Sequence, residues 1–235
     1  MKAVILAGGL GSRLRPFTEA IPKPLLPIGE QSLLEIQITR LKHFGVEEVF
    51  LATNYKSEYV RSFMGDGSRY GIKLTVSHEE KPLGTAGPVR LLREHLTEPF
   101  FLMNGDILST VDFAKMYEFA TSLESDLCVG IKKIITPFAF GNVFHEGNFV
   151  TGIEEKPNIE TDIIAGIYVM KPGIFDHIPE NTYFGMDHLI LSMLDKKVPV
   201  AKYSIWELWL DIGQLPDYEK AQEIYEQHFK NGPGA

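Results

Sequence analysis

The chain has 235 residues, 44% hydrophobic and 23% charged, a globular composition long enough for one large domain or two small ones. A net charge of -8 without any Lys/Arg-rich run argues against nucleic acid as a partner, because phosphate-backbone binding needs a concentrated basic face. The single cysteine, Cys128 in "DLCVGI", cannot form an internal disulfide and reads as a small core residue in a reducing cytoplasm, while no apolar run is long enough for a signal-peptide core or a membrane span.

Residues 2–7, "KAVILA", are a short apolar run of β-formers closed by glycine and predict a buried strand. A glycine- and proline-rich loop follows, and no helix is expected in it before Pro27. Ser32 and Glu35 then form a capping box, with Leu34, Ile38 and Leu41 at helical spacing until Gly45. The pattern repeats: strand 47–52, helix 56–64, strand 72–77, helix 86–95, and the apolar run that ends in "NGD" at Asp106. Strands alternating with helices predict a Rossmann-like, doubly wound α/β sheet, mixed but predominantly parallel, that binds ligands beyond its carboxyl ends.

Past Asp106 the rhythm loosens into a helix at 112–120, a strand at 125–131, and the runs "FGNVFHE", "FVTGIEE" and "DIIAGIYVM". These are expected to extend or flank the sheet with some antiparallel pairing and to wall the site on a second side. "MDHLILSMLDKK" returns to helix, "VPVAKYSI" to strand, and "LPDYEKAQEIYEQHF" closes the chain as an amphipathic helix. With no linker, repeat or low-complexity tract, a single catalytic domain over 1–228 and a disordered tail at 229–235 are expected.

The loop "GGLGSRLRPFTEAIPKPLLPIG" is the most informative stretch. It lacks the G-x-x-x-x-G-K-[ST] of a P-loop, and Gly8, Gly9 and Gly11 are followed by Arg13, Arg15 and Pro16 rather than by the helix of a dinucleotide fingerprint. What remains is a loop whose glycines let backbone N–H groups approach a ligand while Arg13 and Lys23 add charge, a means of gripping a polyphosphate. Pro16, Pro22, Pro24 and Pro27 stiffen it, which makes most sense where geometry matters.

"GGLGSRLRPFTEAIPKP" resembles the opening signature of the sugar nucleotidyltransferases, G-G-x-G-[ST]-R-L-x-P-x-T followed by P-K-P. "NGD" at 104–106, "FGNV" at 140–143, "EEKP" at 154–157 and "WLDIG" at 209–213 follow in that family's order, so the resemblance covers nearly the whole chain. It implies a reaction joining a sugar 1-phosphate to the α-phosphate of a nucleoside triphosphate with release of pyrophosphate. No protein nucleophile is needed, and positioning and charge neutralisation carry the catalysis.

By that resemblance Arg13 grips the triphosphate, Lys23 meets the phosphates at the reacting centre, and Asp106 and Asp211 hold Mg2+. Leu6, Ala7, Gly8, Gly9, Gly11, Ser12 and Asn104 border the nucleotide, and Gly84 and Thr85 in "PLGTAGP" belong to the loop that reads the base, the glycines giving edge access and the threonine a hydroxyl. Gly141, Glu155 and Lys156 are assigned to the sugar phosphate, with Asn142 a departure where the family often has an apolar residue. "PLGTAGP" and "WLDIGQLPDY" look most like the mannose-1-phosphate guanylyltransferase branch, which favours GTP; heptose, N-acetylated and muramic acid relatives using GTP or UTP are the alternatives. A silent nucleotide-sugar sensor is disfavoured by the intact Arg13, Lys23, Asp106 and Asp211, and a glycosyltransferase by the lone acid in "NGDIL". Neither nucleic acid nor membrane is an expected partner, and a homo-oligomer is left open. The seven scattered histidines form no zinc-binding spacing.

Overall fold

The computed structural model describes residues 1–230 and Gly232. In chain order its strands and α-helices are β1 (Lys2–Leu6), α1 (Phe17–Ala20), β2 (Pro27–Ile28), β3 (Gln31–Ser32), α2 (Leu33–His43), β4 (Glu48–Thr53), α3 (Ser57–Met64), β5 (Lys73–His78) and α4 (Gly87–Arg90). They continue through β6 (Phe100–Asn104), β7 (Ile107–Ser109), α5 (Phe113–Ser122), β8 (Leu127–Pro137), β9 (Asn142–Glu146), β10 (Phe149–Glu154) and β11 (Asn158–Met170). The last are α6 (Met186–Asp195), β12 (Ala201–Ser204), β13 (Trp209–Asp211) and α7 (Leu215–His228).

A seven-stranded sheet in the order β12-β8-β11-β6-β1-β4-β5 forms the frame. β1 runs parallel to β4 and β6, β4 to β5 and β12 to β8, while β11 is antiparallel to both its neighbours. The mixed, mostly parallel sheet is as the alternating pattern predicts. Both faces are covered, and the strands divide their side chains between them with period two: Ala3, Ile5, Phe101 and Met103 enter one core, Val4, Phe100 and Leu102 the other. A third core joins Leu14, Leu26 and Ile28 of the glycine loop to Leu210, Ile212 and Tyr225, which ties the loop to the last strand and helix.

The capping box of α2 is present: Ser32 Oγ accepts from the Glu35 N–H, and Glu35 Oε2 accepts from the Ser32 N–H. Two expectations are corrected. The glycine loop contains two 3-10 turns, Ser12–Leu14 and Lys23–Leu25, and the short α1, because Pro16 and Pro24 fall at first-turn positions, where a missing N–H costs no hydrogen bond. The helix expected at 86–95 is α-helical only over Gly87–Arg90. It goes on in turns bonded mainly to the third preceding residue, and this still buries Val89, Leu92 and Leu96 together, so the apolar spacing could not separate the two forms. As expected, β11 extends the sheet with antiparallel pairing, joining β6 and β8, while β9 and β10 form a separate ribbon with its side chains largely exposed. At the other end Phe229, assigned to the tail, is 4% exposed in the third core; residues 231 and 233–235 lie outside the described residues. No helix among the described residues is long and apolar enough to cross a membrane.

Candidate active site

β1, β4 and β6 are parallel neighbours, so the loops that leave their carboxyl ends meet above the sheet, where this class of fold places its ligands. Two adjoining cavities lie there. One, of about 460 Å³, is lined by Leu6, Gly8, Gly9, Leu10, Ala52, Asn54, Glu79, Pro82, Gly84, Thr85, Asn104, Gly105, Asp106 and Tyr183. The other, of about 300 Å³, is lined by Gly9, Leu10, Gly11, Ser12, Arg13, Lys23, Asp106 and Gly213. They share Gly9, Leu10 and Asp106 and make one cleft. A larger hollow of about 730 Å³ opens at the amino ends of β4 and β5 and contains none of the motif residues.

The charged centre is assembled from three parts of the chain. Leu14, 1% exposed, roots the turn that carries Arg13. Lys23 begins a turn whose Pro24 and Leu25 are buried, and its Nζ donates to Asp106 Oδ2 at 2.6 Å with only 10% of its side chain exposed. Asp106 stands on the turn between β6 and β7, where the Gly105 N–H bonds to Leu6 O at 3.0 Å. Gln37 Nε2 reaches across from α2 to the carbonyls of Asn104 and Ile107, fixing that turn from behind. Asp211 is delivered by β13, which pairs antiparallel with β7 so that Asp211 is opposite Ile107 and the Ile212 N–H bonds to Asp106 O at 2.9 Å. A side chain built on Gly213 would meet the Arg13 guanidinium at 3.5 Å, which puts Arg13 along the same edge.

The two carboxylates differ in their partners. Asp106 has the Lys23 ammonium, whereas Asp211 Oδ1 is buried with no hydrogen-bond partner among the described residues. Burial first and the Asp106 charge second push the Asp211 carboxyl above its ordinary range, opposed by Lys23 and Arg13. A carboxylate oxygen without a donor, beside a second carboxylate that borders the cleft, suits a hard divalent cation, which takes protein carboxylates and completes its shell with phosphate and water. The described residues hold no cluster of three or more His, Cys, Asp or Glu of metal-binding type, so any cation there depends on this pair and on ligand oxygens.

Most of the residues singled out from the sequence meet in the cleft: Leu6, Gly8, Gly9, Gly11, Ser12, Arg13, Lys23, Gly84, Thr85, Asn104 and Asp106, with Asp211 adjoining. Asn104 Oδ1 is a further buried oxygen without a partner among the described residues. Ala7 lies behind the lining, its N–H donating to Ala52 O at 2.7 Å. Gly84 and Thr85 line the cleft and also have packing roles. A Cβ on Gly84, at φ +83°, would lie 2.6 Å from Phe184 O, so the glycine permits packing of the 182–185 loop as well as bordering the cleft. Thr85 Oγ1 accepts from the Met186 N–H at 2.8 Å and caps α6, leaving its proton and one lone pair for a ligand. Gly141, Glu155 and Lys156 come together, with Glu155 Oε2 3.0 Å from the space above Gly141, but on exposed segments flanking the β9–β10 ribbon that line neither cavity.

Sequence reasoning missed Glu79. It follows β5 directly, is 6% exposed in the wall of the larger cavity, and accepts the Leu83 N–H at Oε2. Burial raises its pKa, with the Leu83 N–H and His78 opposing. An acid one residue past the end of a parallel strand was a legible signal. Asn54, whose Nδ2 donates to Glu79 O at 3.2 Å, and Tyr183, 64% exposed at the rim, were likewise unremarked.

Comparison with known proteins agrees with this geometry. Residues 2–228 match the family model described as nucleotidyl transferase. "Probable mannose-1-phosphate guanylyltransferase 1" of Oryza sativa subsp. japonica is 37% identical over 96% of this chain, and mannose-1-phosphate guanylyltransferase 1 of Arabidopsis thaliana is 36% identical over the same share. The chain spans 64% of the length of each. Among solved structures, HddC from Yersinia pseudotuberculosis superposes with a TM-score of 0.75 at 28% identity, covering 95% of this chain and 99% of that one, and it has also been solved with GMP-PN. With signature, charged centre and fold in agreement over nearly its full length, the chain belongs to the nucleotidyl transferase family.

Proposed function

We propose that the protein joins a sugar 1-phosphate to the α-phosphate of a nucleoside triphosphate, GTP in preference, and releases pyrophosphate. The observation that carries this reading is the Lys23–Asp106 pair with Asp211 beside it and Arg13 along the same edge. In-line displacement at phosphorus needs cations around the transferred group and no protein nucleophile, and this centre offers an ammonium, a guanidinium and two carboxylates. Lys23, held by Asp106 with little exposed surface, presents a fixed positive charge, and Arg13 supplies planar donors for the departing phosphates. Mg2+ bound by Asp106 and Asp211 would neutralise phosphate charge and favour departure of pyrophosphate.

Glu79 supports guanine as the base. A carboxylate only accepts hydrogen bonds, and guanine offers it two adjacent donors, N1–H and the 2-amino group, whereas uracil and thymine offer one N–H between two carbonyls that a carboxylate repels. Leu10 and Tyr183, both largely exposed at the cavity rim, offer apolar surface to the flat ring. The GMP-PN complex of HddC and the names of the plant relatives agree with guanine, and those names make mannose 1-phosphate the first sugar to try, ahead of heptose and N-acetylhexosamine 1-phosphates. A cytoplasmic location and the absence of membrane partners belong to the same proposal.

The test is Glu79→Gln assayed with GTP and with xanthosine triphosphate. Xanthine has a carbonyl in place of the 2-amino group and pairs with an amide where guanine pairs with a carboxylate. The variant should lose at least about tenfold in kcat/KM for GTP, roughly 1.4 kcal/mol, and gain on xanthosine triphosphate. Unchanged preference for GTP would remove Glu79 from base recognition.

A further inference from the structure

Thr18 belongs to the loop signature, yet nothing in the chemistry above uses it. It is 2% exposed, and its hydroxyl donates to Gly11 O at 2.8 Å. The same carbonyl accepts the Leu14 N–H at 2.9 Å. Gly11 is left-handed, φ 60° and ψ 30°, and leads into the right-handed turn Ser12–Leu14. That succession swings consecutive N–H groups to one side and makes a concavity suited to an anion, here facing the cavity shared with Arg13 and Lys23.

The Thr18 methyl group fills the space behind this turn. A Cβ on Gly11 would lie 2.7 Å from Thr18 Cγ2 and 3.1 Å from Lys23 Cβ, so Thr18 and the stem of Lys23 both close on the bare face of Gly11. The helix that carries Thr18 is also held at its far end: Lys56 Nζ, from the loop after β4, donates to the carbonyls of Glu19 and Ala20. α1 is therefore wedged between the β4 loop and the anion-binding turn.

We propose that Thr18 is a positioning residue: its hydroxyl holds the Gly11 turn, so the phosphate-binding shape exists before any ligand arrives. The identity of the anion rests on the nucleotidyl-transfer reading above; the holding of the turn does not. Phosphate contacts made alike in ground and transition states appear in KM rather than kcat.

The test compares Thr18→Val, which keeps the shape and loses the donor, with Thr18→Ser, which keeps the donor. Hydrogen exchange of the amides of residues 9–14 in the ligand-free protein should be faster in Thr18→Val and close to wild type in Thr18→Ser. KM for GTP should rise about tenfold in Thr18→Val with kcat within about twofold, the scale of one lost buried hydrogen bond, and Thr18→Ser should restore it. Unchanged exchange in Thr18→Val, or equal impairment of both variants, would overturn the proposal. The exchange measurement decides this even if wild type turns over no nucleotide, a result that would count against the functional reading alone.

Discussion

Replacing Asp211 by Asn should stabilise the metal-free protein while removing its activity. Asp211 Oδ1 is buried without a partner among the described residues, the nearest ammonium is bonded to Asp106 instead, and burial together with the Asp106 charge raises the Asp211 pKa. Asparagine preserves shape and removes the repelled charge, and the β7–β13 pairing that positions the residue is made by backbone groups. The gain should be on the order of 1 kcal/mol, typical of relief at a strained functional position, and it should raise Tm by about 2–4 °C in a chain of this size. Because the folded-state pKa is raised, the stability contributed by the protonated acid is present at low pH and lost as pH rises through the folded-state pKa, so the advantage of asparagine should grow with pH. Turnover should fall about a hundredfold or more, roughly 3 kcal/mol, as when one electrostatic stabiliser is removed. Thermal unfolding in EDTA and in MgCl2, paired with pyrophosphate release, reads both effects: Mg2+ should raise Tm of wild type and not of the variant. An Asp211→Asn protein that melts below wild type in EDTA and keeps its turnover would refute the reasoning.

Asp106→Asn should also lose activity but lower Tm, because the largely buried Lys23 ammonium loses its ionised acceptor; thermal unfolding separates the two aspartates by sign. Arg13→Ala should cut turnover far more than Tm, since the guanidinium borders the cleft while Leu14 does the packing; early melting with normal turnover per folded molecule would make the turn structural instead. Glu79→Gln should flatten the dependence of stability on pH above the ordinary glutamate range, because burial raises the folded-state pKa of Glu79 and its ionisation opposes folding as pH rises; pH-resolved urea titrations measure the slope. Cys128, buried and with its thiol pushed up to about 11, should resist thiol reagents in the native protein and react only on unfolding.

Much of the cleft was readable because its residues are grouped along the chain. Gly8 to Lys23 are one loop, and Asp106 ends an apolar strand, so local pattern located them. Asp211 was harder to place, since its proximity to Asp106 depends on β13 pairing with β7, a contact between segments about a hundred residues apart that no periodicity encodes. The antiparallel insertion of β11 is of the same kind: its apolar run reads as a strand in any sheet position. Thr85 was assigned to the base loop by the resemblance of "PLGTAGP", and only tertiary packing shows that its oxygen also accepts from the α6 N-terminus. Gly141, Glu155 and Lys156 flank the exposed ribbon, and only its path shows that they lie outside the walls of the two cavities.

The central claim is tested most directly by offering GTP, UTP, dTTP, CTP and ATP with Mg2+ to the purified chain, each against mannose, heptose, glucose and N-acetylglucosamine 1-phosphates, and measuring pyrophosphate release. The account predicts release that needs both substrates, with GTP favoured at least about tenfold in kcat/KM over UTP and dTTP, a margin of roughly 1.4 kcal/mol. A clear preference for UTP or dTTP with the best sugar would contradict the reading of Glu79, and no release from any pair would contradict nucleotidyl transfer itself.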